Sequence, residues 1–271
     1  CTICDGGRMT MSAVGILSMH AAWNHFIHNH IHDFFYTGIS CGWIWGYASS
    51  SSHHNEIAWN HIHHLGKGQL SDMGGIYTLG EQPGTTIRCN YIHDVVKSNY
   101  GGWGVYQDEG SSHIVVERNS CVNLSSQGIH QHYGMENLVR NNIFALGREA
   151  QLAVTRSEDH VSLNLEKNIF ISDGKPIFNA GAAVMKSTAH IRSDLNLFYD
   201  RAGDPVFSSD EPDWRGWQEA GLDKHSIFAD PLVSGLDTGC LTWAADTPAR
   251  SLGFEPFSLD AAGPREDAGC E

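Results

Sequence analysis

Three carboxylates lie where the chain leaves a regular pattern, and they could carry acid–base chemistry. Asp72 lies in the segment LSDMGG, and Asp108 and Glu109 lie in YQDEG. Hydrolysis of a glycosidic bond generally needs two carboxyl groups, one as acid and one as base or nucleophile. We expect Asp108 to be the base or nucleophile, with Asp72 or Glu109 as the acid. Each carboxylate taken alone could equally cap a turn.

Aromatic and polar side chains accompany these carboxylates along the chain. Sugars stack their C–H faces on aromatic rings, and their hydroxyls need hydrogen-bond partners. The candidate substrate-binding residues are Trp43, Tyr77, Trp103, Tyr106, His130, His132, Arg156 and Glu158. Two alternatives remain open: the aromatic rings could simply cover a sheet, and Arg156 with Glu158 could form an ordinary ion-paired rim.

The elements that must position these residues recur along the chain. Seven segments share alternating apolar runs that are interrupted by an asparagine, at spacings of 31, 30, 29, 23, 26 and 28 residues. The asparagines are Asn29, Asn60, Asn90, Asn119, Asn142, Asn168 and Asn196. Asparagines at equivalent bends can hydrogen-bond to their copies on neighbouring turns, so this column needs no catalytic explanation.

A second repeated pattern lies between the asparagine segments. Its side chains alternate between two faces with a period of two residues, as a half-buried strand requires. One face would carry Ile39, Ile76, Val105, Ile129, Leu152 and Ile177. The other face would carry Ser40, Tyr77, Tyr106, His130, Ala153 and Phe178. Short strands between Asn and Gly bends, without helical patterns, predict an all-β fold, a right-handed parallel β-helix whose coils stack about 4.8 Å apart. A β-propeller is the competing repeat fold, but its blades are about 40 residues long.

The repeat divides the chain into two regions. Residues 1–200 are expected to form the coils, with further N-terminal coils missing, and residues 201–271 to form a C-terminal cap. The segment EPDWRGWQEA (211–220) predicts a short helix in this cap. An open solenoid end requires such a cap to protect its core.

Two consecutive turns carry extra residues, at 63–74 and 94–104, and should build a wall beside one face. His132 occupies the place of Asp108 one coil later, so the two side chains should lie about 5 Å apart, and a charged His132 would lower the pKa of Asp108. Asp72 lies seven positions before that place, about 23 Å away along a straight strand. It can join Asp108 only if its insert folds back over the face.

Histidines and cysteines are the other candidate metal ligands. Of the 17 histidines, seven recur in the repeat, namely His28, His30, His32, His61, His63, His64 and His93. A structural column of this kind is not expected to converge on one ion, so we predict no metal site and no cofactor. Cys1 and Cys4 form a CxxC without a second one, which argues against a zinc ribbon, and Cys240 could pair with Cys270.

Charge and hydropathy exclude several classes of partner. The chain has 31 acidic and 17 basic residues, for a net charge of −14, which argues against nucleic acids and anionic membrane surfaces. No apolar run approaches about 18 residues, so no membrane span is expected. A monomer with a polysaccharide or oligosaccharide substrate is the expected state.

Long strings of the sequence resemble glycoside hydrolase family 141, a group of right-handed β-helix proteins. They include HDFFYTGISCGWIWGY (32–47), LGKGQLSDMGGIYTLGEQPGT (65–85) and YGGWGVYQDEGSS (100–112). The shorter strings GIHQHYG (128–134), TRSEDH (155–160), ADPL (229–232) and SLGFEP (251–256) match as well. The resemblance implies a right-handed coil and a secreted or periplasmic bacterial enzyme, and it points to Asp72 and Asp108.

Characterised members of that family include an α-L-fucosidase acting on a complex pectin and a xylanase. The resemblance therefore implies a glycoside hydrolase that cleaves an α-L-fucoside or xyloside bond in a plant or algal polysaccharide. Two alternatives are kept: a polysaccharide lyase, which would use Arg156, His130 and His132, and a carbohydrate-binding or surface protein without catalysis.

Overall fold

The computed structural model describes residues 1–156, 158–180, 190–208 and 214–265. Within these residues the chain winds through three parallel sheets, and each of the first seven turns adds one strand to each sheet. Sheet A consists of β1 (Thr2–Cys4), β4 (His30–His32), β7 (His61–Leu65), β10 (Tyr91–Val95), β13 (Ser120–Val122), β16 (Ile143–Ala145), β19 (Ile169–Ser172), β22 (Leu197–Asp200) and β23 (Ile227–Phe228). The predicted right-handed parallel β-helix is confirmed.

The other two sheets follow the same order of turns. Sheet B consists of β2 (Ile16–Met19), β5 (Ile39–Gly42), β8 (Gly74–Leu79), β11 (Trp103–Gln107), β14 (Ile129–Gln131), β17 (Leu152–Val154) and β20 (Phe178–Ala180). Sheet C consists of β3 (His25–Ile27), β6 (Glu56–Ala58), β9 (Thr86–Arg88), β12 (Val115–Glu117), β15 (Asn137–Arg140), β18 (Leu163–Glu166) and β21 (Ile191–Asp194). A hairpin of β24 (Val233–Ser234) and β25 (Thr242–Trp243), helix α1 (Trp214–Glu219) and a 3₁₀ helix (Pro248–Leu252) complete the chain.

The asparagine column forms a continuous ladder at the bend from sheet C to sheet A. Both the backbone N–H and the Nδ2 of Asn60 donate to Oδ1 of Asn90, at 3.0 and 2.9 Å, and Asn90 bonds to Asn119 in the same way. The residue before each ladder asparagine has a left-handed backbone, with φ between 50° and 61°. This single left-handed residue makes the bend, and the buried amides of the asparagines satisfy the backbone groups there.

The predicted inward face of sheet B is confirmed for five of the six strands for which it was made. The side chains of Ile39, Ile76, Val105, Ile129 and Leu152 are buried in the common core. In the last coil the expected register was wrong by one residue, because Phe178 pairs with Leu152 and Asn179 pairs with Ala153. Both Ile177 and Phe178 are apolar and buried, so the pattern of hydropathy could not distinguish the two registers.

The two inserts form wall loops beside sheet B, the first at 66–73 and the second at 96–102. Their backbones bond to each other: Gly68 N–H donates to the Val96 carbonyl at 2.9 Å, and Ser98 N–H to the Leu70 carbonyl at 2.7 Å. Asp72 N–H donates to the Tyr100 carbonyl at 3.1 Å. The two inserts therefore form one hydrogen-bonded wall beside sheet B, as the sequence predicts.

The C-terminal segment does more than close one end of the solenoid. Helix α1 lies within the expected helical segment, of which residues 211–213 fall outside the described residues, and its Trp217 is buried in the main core. The residues after β23, however, lie along the outer face of sheet A, where Leu236, Leu252 and Phe254 pack on apolar side chains of the coils. The apolar outer positions of sheet A, such as Ile143, require this cover.

Two further expectations concern residues at the margins. Cys270 lies outside the described residues, so its pairing with Cys240 stays a prediction. Among the described residues, no helix has the length and apolar character that crossing a membrane would need.

Candidate active site

A cleft of about 520 Å³ opens on the outer face of sheet B, next to the wall loops. Its lining joins residues of five consecutive coils. They are Asp72, Lys97, Asn99, Tyr100, Gly101, Trp103, Tyr106, Asp108, Glu109, Gln127, His130, His132, Glu149, Ala153, Thr155 and Asn179. All three predicted catalytic carboxylates lie in this cleft.

Asp108 directly follows β11 and is 6% exposed. Its Oδ1 accepts a hydrogen bond from His132 Nδ1 at 2.9 Å, and its Oδ2 accepts one from the Tyr77 hydroxyl. Burial by itself raises the pKa of Asp108, but the hydrogen bonds from His132 and Tyr77, together with the nearby Tyr106 hydroxyl, outweigh it and hold the pKa below its ordinary value. Asp108 is therefore held as a carboxylate.

Asp72 reaches the same cleft from the first wall loop. Its Oδ1 accepts a hydrogen bond from the Tyr106 hydroxyl at 3.0 Å, and its carbonyl accepts one from Tyr36 at 2.8 Å. The backbone of Asp72 is left-handed, with φ of 61°, so the insert folds back over the face as a joint site requires. Burial raises the pKa of Asp72, and the nearby charges of Asp108 and Glu109 raise it further.

Tyr106 acts on both carboxylates: its hydroxyl donates its one proton to Asp72 Oδ1, and the same hydroxyl lowers the pKa of Asp108. Burial raises the pKa of Tyr106, as do the charges of Asp108 and Asp72, so the phenol remains a donor at ordinary pH. Two adjacent carboxyl groups whose surroundings move their pKa values in opposite directions are the usual signature of an acid and a base.

Glu109 belongs to the edge of the cleft. Its Oε2 accepts a hydrogen bond from the Tyr133 hydroxyl at 3.1 Å. The guanidinium of Arg156 lies 4.1 Å from the centre of the Tyr133 ring, and Arg156 donates to Glu158 at 3.0 Å. Glu158 also accepts a hydrogen bond from Tyr47. Arg156 and Glu158 thus form an ion-paired rim beside the cleft, and neither lines it.

The predicted aromatic residues form one connected surface beneath and beside the carboxylates. Trp103 and Tyr106 line the cleft, with ring centres 4.2 Å apart. Tyr77 lies against Tyr106 edge to face, and Trp43 stacks on Tyr77 at 5.7 Å. Trp43 and Tyr77 therefore support the cleft from one side and do not line it.

His130 forms part of the floor of the cleft and is 4% exposed. Its ring stacks on Tyr106, and its Nε2 lies 3.0 Å from Thr155 Oγ1. Within the described part of the chain, Nδ1 of His130 has no hydrogen-bond partner. Burial lowers the pKa of His130 to about 3, so the ring is neutral.

Sequence reasoning missed several cleft residues that the structure adds. Lys97 forms an ion pair with Glu149, whose other oxygen accepts a hydrogen bond from Gln127 at 3.4 Å. Gln127 in turn accepts a hydrogen bond from Trp103 Nε1 at 2.7 Å. Lys97 lies in the second insert, which the sequence singled out as a wall, so its side chain could have been proposed. Glu149 lies in an ordinary short turn and carried no such signal.

The recurring histidines lie elsewhere, and one expectation about them needs correction. His30, His32, His61, His63 and His93 lie on strands of sheet A. The ligand atoms of His30, His61 and His63 all lie within 4.8 Å of one another, so the column converges after all. His64, His93 and Asp94 form a second such group.

Comparisons with known protein families and with solved structures each give a match. A family model described as "Right handed beta helix region" matches residues 14–198, more than half of the chain. A solved structure titled "Glycoside hydrolase" is similar at 19% identity with a TM-score of 0.34, and the alignment covers 82% of this chain and 27% of that one. The chain therefore spans only about a quarter of that protein's length. No curated protein matches.

Proposed function

The chain belongs to the right-handed β-helix family, and from that premise we propose that the cleft on sheet B hydrolyses a glycosidic bond. Asp72 is the general acid, and Asp108 is the base or nucleophile. The substrate is a plant or algal polysaccharide or an oligosaccharide derived from it. Action on such a polymer would suit a secreted or periplasmic enzyme.

One observation carries this proposal: Asp72 and Asp108 share the cleft, and their pKa values are displaced in opposite directions. A hydrolase of this kind needs one carboxyl group protonated and the other ionised at the same pH. Two carboxylates with a purely structural role on a turn would not require different protonation states. Glu109, hydrogen-bonded to Tyr133, remains the alternative acid.

The reaction would follow from these protonation states. Asp72 gives its proton to the glycosidic oxygen while the bond from that oxygen to the anomeric carbon breaks. Asp108 either attacks the anomeric carbon or removes a proton from the attacking water. His132 and Tyr77 hold Asp108 in place by hydrogen bonds to its two oxygens.

The aromatic lining supports a sugar as substrate. Trp103, Tyr106 and the neutral His130 present ring faces and edges to the cleft, and Gln127 and Asn179 present amides. Rings suit the C–H faces of a sugar, and amides suit its hydroxyls. The choice of an α-L-fucoside or a xyloside depends on the resemblance to glycoside hydrolase family 141.

The lyase alternative is less well supported. A lyase acting on a uronate polymer needs a cation to neutralise the carboxylate of the sugar. Lys97 is paired with Glu149, and Arg156 is paired with Glu158 outside the cleft. In the described residues both side chains already have an acidic partner, which favours the hydrolase.

The test is hydrolysis of a panel of aryl α-L-fucosides, aryl xylosides, pectic oligosaccharides and xylan oligosaccharides. The wild type is compared with Asp72→Asn and Asp108→Asn, and with Asp173→Asn as control, because Asp173 is an exposed carboxylate that does not line the cleft. Asp72→Asn and Asp108→Asn should each reduce the rate of hydrolysis by about 10³-fold or more, while the control variant keeps wild-type activity.

Three outcomes would contradict the proposal. Unsaturated products would indicate a lyase. Binding of oligosaccharides without any hydrolysis would indicate a carbohydrate-binding protein. If Asp72→Asn were as active as the wild type, Asp72 would not be the general acid, and Glu109 would be the remaining candidate. Identifying by NMR which anomer of the product forms first then distinguishes an inverting enzyme from a retaining one.

A further inference from the structure

Sheet A presents a grid of imidazoles on its outer face, on a different sheet from the cleft. His30 pairs with His61, and His32 pairs with His63, in the register of β4 with β7. His93 pairs with His63 in the register of β10 with β7. These residues alternate with the buried Ile31, Ile62 and Ile92, so the pleat directs the histidine side chains outward.

The rings of this grid converge. Nε2 of His30 lies 2.7 Å from Nε2 of His63, and the rings of His30 and His61 stack with centres 4.8 Å apart. The ligand atoms of His30, His61 and His63 all lie within 4.8 Å of one another. A tetrahedral zinc ion with bonds of about 2.0–2.1 Å places its nitrogen ligands roughly 3.3 Å apart. Small rotations of the three rings would reach that geometry.

We propose that His30, His61 and His63 form a binding site for a divalent transition-metal ion of the zinc class. Three imidazoles with an open fourth position are a recurrent zinc ligand set, and imidazole also suits copper and nickel. The ligands come from two consecutive coils, so the ion would cross-link β4 to β7. All three side chains are partly exposed, which leaves the site open to an ion from solution.

The hydrogen bonds around the grid support ligation. A contact between two ring nitrogens needs at least one nitrogen with a free lone pair, so the stack cannot consist of charged imidazoliums alone. His93 donates its Nδ1–H to Asp94 at 2.7 Å and directs its Nε2 to His61 at 2.9 Å. The Nε2 of His93 can therefore accept the Nε2–H of His61, and a metal-ligating histidine usually donates the N–H of its other ring nitrogen to such a partner.

The acidic groups nearby offset the charge of a bound cation. Asp33 accepts hydrogen bonds from His32 and Lys67, and Asp94 accepts them from His93 and Asn123. A cluster that only stabilised the sheet, like the asparagine ladder, would need neither converging nitrogens nor flanking carboxylates. The proposal is independent of the hydrolase activity, since the site lies on another sheet.

The test is titration of the chelator-treated full chain with ZnCl₂ by isothermal calorimetry at neutral pH. We expect saturation at one equivalent and a rise in melting temperature, because an ion that binds only the folded state stabilises it. His61→Gln and His63→Gln should each weaken binding by more than about tenfold, the effect of losing even an outer support. His25→Gln is the matched control, since His25 lies on sheet C and pairs with Glu56.

A second measurement keeps the proposal falsifiable if a variant fails to fold. X-ray absorption at the zinc edge of the unmodified protein should show three imidazole nitrogens at about 2.0 Å. Scattering from oxygen ligands alone, or equal zinc affinity in His61→Gln, His63→Gln and His25→Gln, would overturn the proposal. The grid would then be only a stack of hydrogen-bonded imidazoles.

Discussion

The Tyr106 hydroxyl donates a hydrogen bond of 3.0 Å to Asp72 Oδ1, although the two residues are 34 positions apart. Asp72 belongs to the first wall loop, and Tyr106 belongs to the central strand of the next coil. This bond joins the wall to the sheet at the point where the two candidate catalytic carboxylates meet. It therefore gives the first test of how the cleft is organised.

Replacing Tyr106 with Phe should move both limbs of the pH–rate profile to higher pH. The Tyr106 hydroxyl lowers the pKa of Asp72 and of Asp108, so its loss raises both. The ring remains, and kcat should fall about 10-fold because Asp72 loses a bond that orients it. The measurement is kcat/KM against pH, and an unchanged profile would show that Tyr106 contacts neither carboxyl group during the reaction.

Activity should be bell-shaped and centred in the acidic range. Asp108 must be ionised and its pKa lies below the ordinary value, while Asp72 must be protonated and its pKa lies above it. His132→Leu removes a hydrogen-bond donor to the ionised Asp108 and so raises its pKa. The midpoint of the acidic limb of the pH–rate profile should therefore move to higher pH by about one unit. His160→Leu is the control because His160 contacts Glu158 on the rim, and an equal displacement in both variants would refute the role of His132.

Stability should fall on acidification partly because of His130. Burial lowers its pKa to about 3 in the folded state, against an ordinary value of 6.5. Between these values the unfolded chain binds a proton that the folded chain does not, so the free energy of unfolding decreases as the pH falls, by up to about 1.4 kcal/mol per pH unit.

His130→Gln should therefore lose less stability than the wild type between pH 6.5 and pH 4, as measured by urea unfolding at several pH values. His113→Gln is the matched control, since His113 is exposed. Equal slopes for the wild type and His130→Gln would mean that His130 takes up a proton without unfolding.

Gly101 should be essential for the position of Asp72. Its φ is 88°, and a Cβ added there would lie 2.6 Å from the backbone nitrogen of Asp72. Gly101→Ala should reduce kcat/KM by about 100-fold, because a small displacement of a catalytic group has effects of that size. Gly174→Ala is the control: its φ is 64°, and the nearest atom to an added Cβ is 3.6 Å away.

Both glycine variants should lose about 1–2 kcal/mol of stability from the left-handed backbone. The difference in activity between them therefore reports the clash with Asp72 alone. If the two variants kept the same activity, the wall loop would not determine where Asp72 lies.

The solenoid and part of the cleft could be predicted because they depend on a repeat. Alternation within each strand decides which side chains are buried, and the asparagine spacing decides where each coil bends. In stacked coils, equivalent residues are neighbours, so the place of His132 beside Asp108 follows from counting. The same counting was wrong at Ile177 and Phe178, where two apolar neighbours make both registers equally good at burying surface.

The sequence by itself therefore determined the β-helix, the wall on two coils and the pair of Asp108 with His132. Only the tertiary structure decided that Asp72 folds back to Tyr106, that Lys97 pairs with Glu149, and that the C-terminal segment covers sheet A. The physical reason is that coils repeat one local geometry, whereas loops and tails take their shape from backbone contacts between distant segments. The convergence of His30, His61 and His63 belongs to this second class, since it depends on how the rings turn on a shared face.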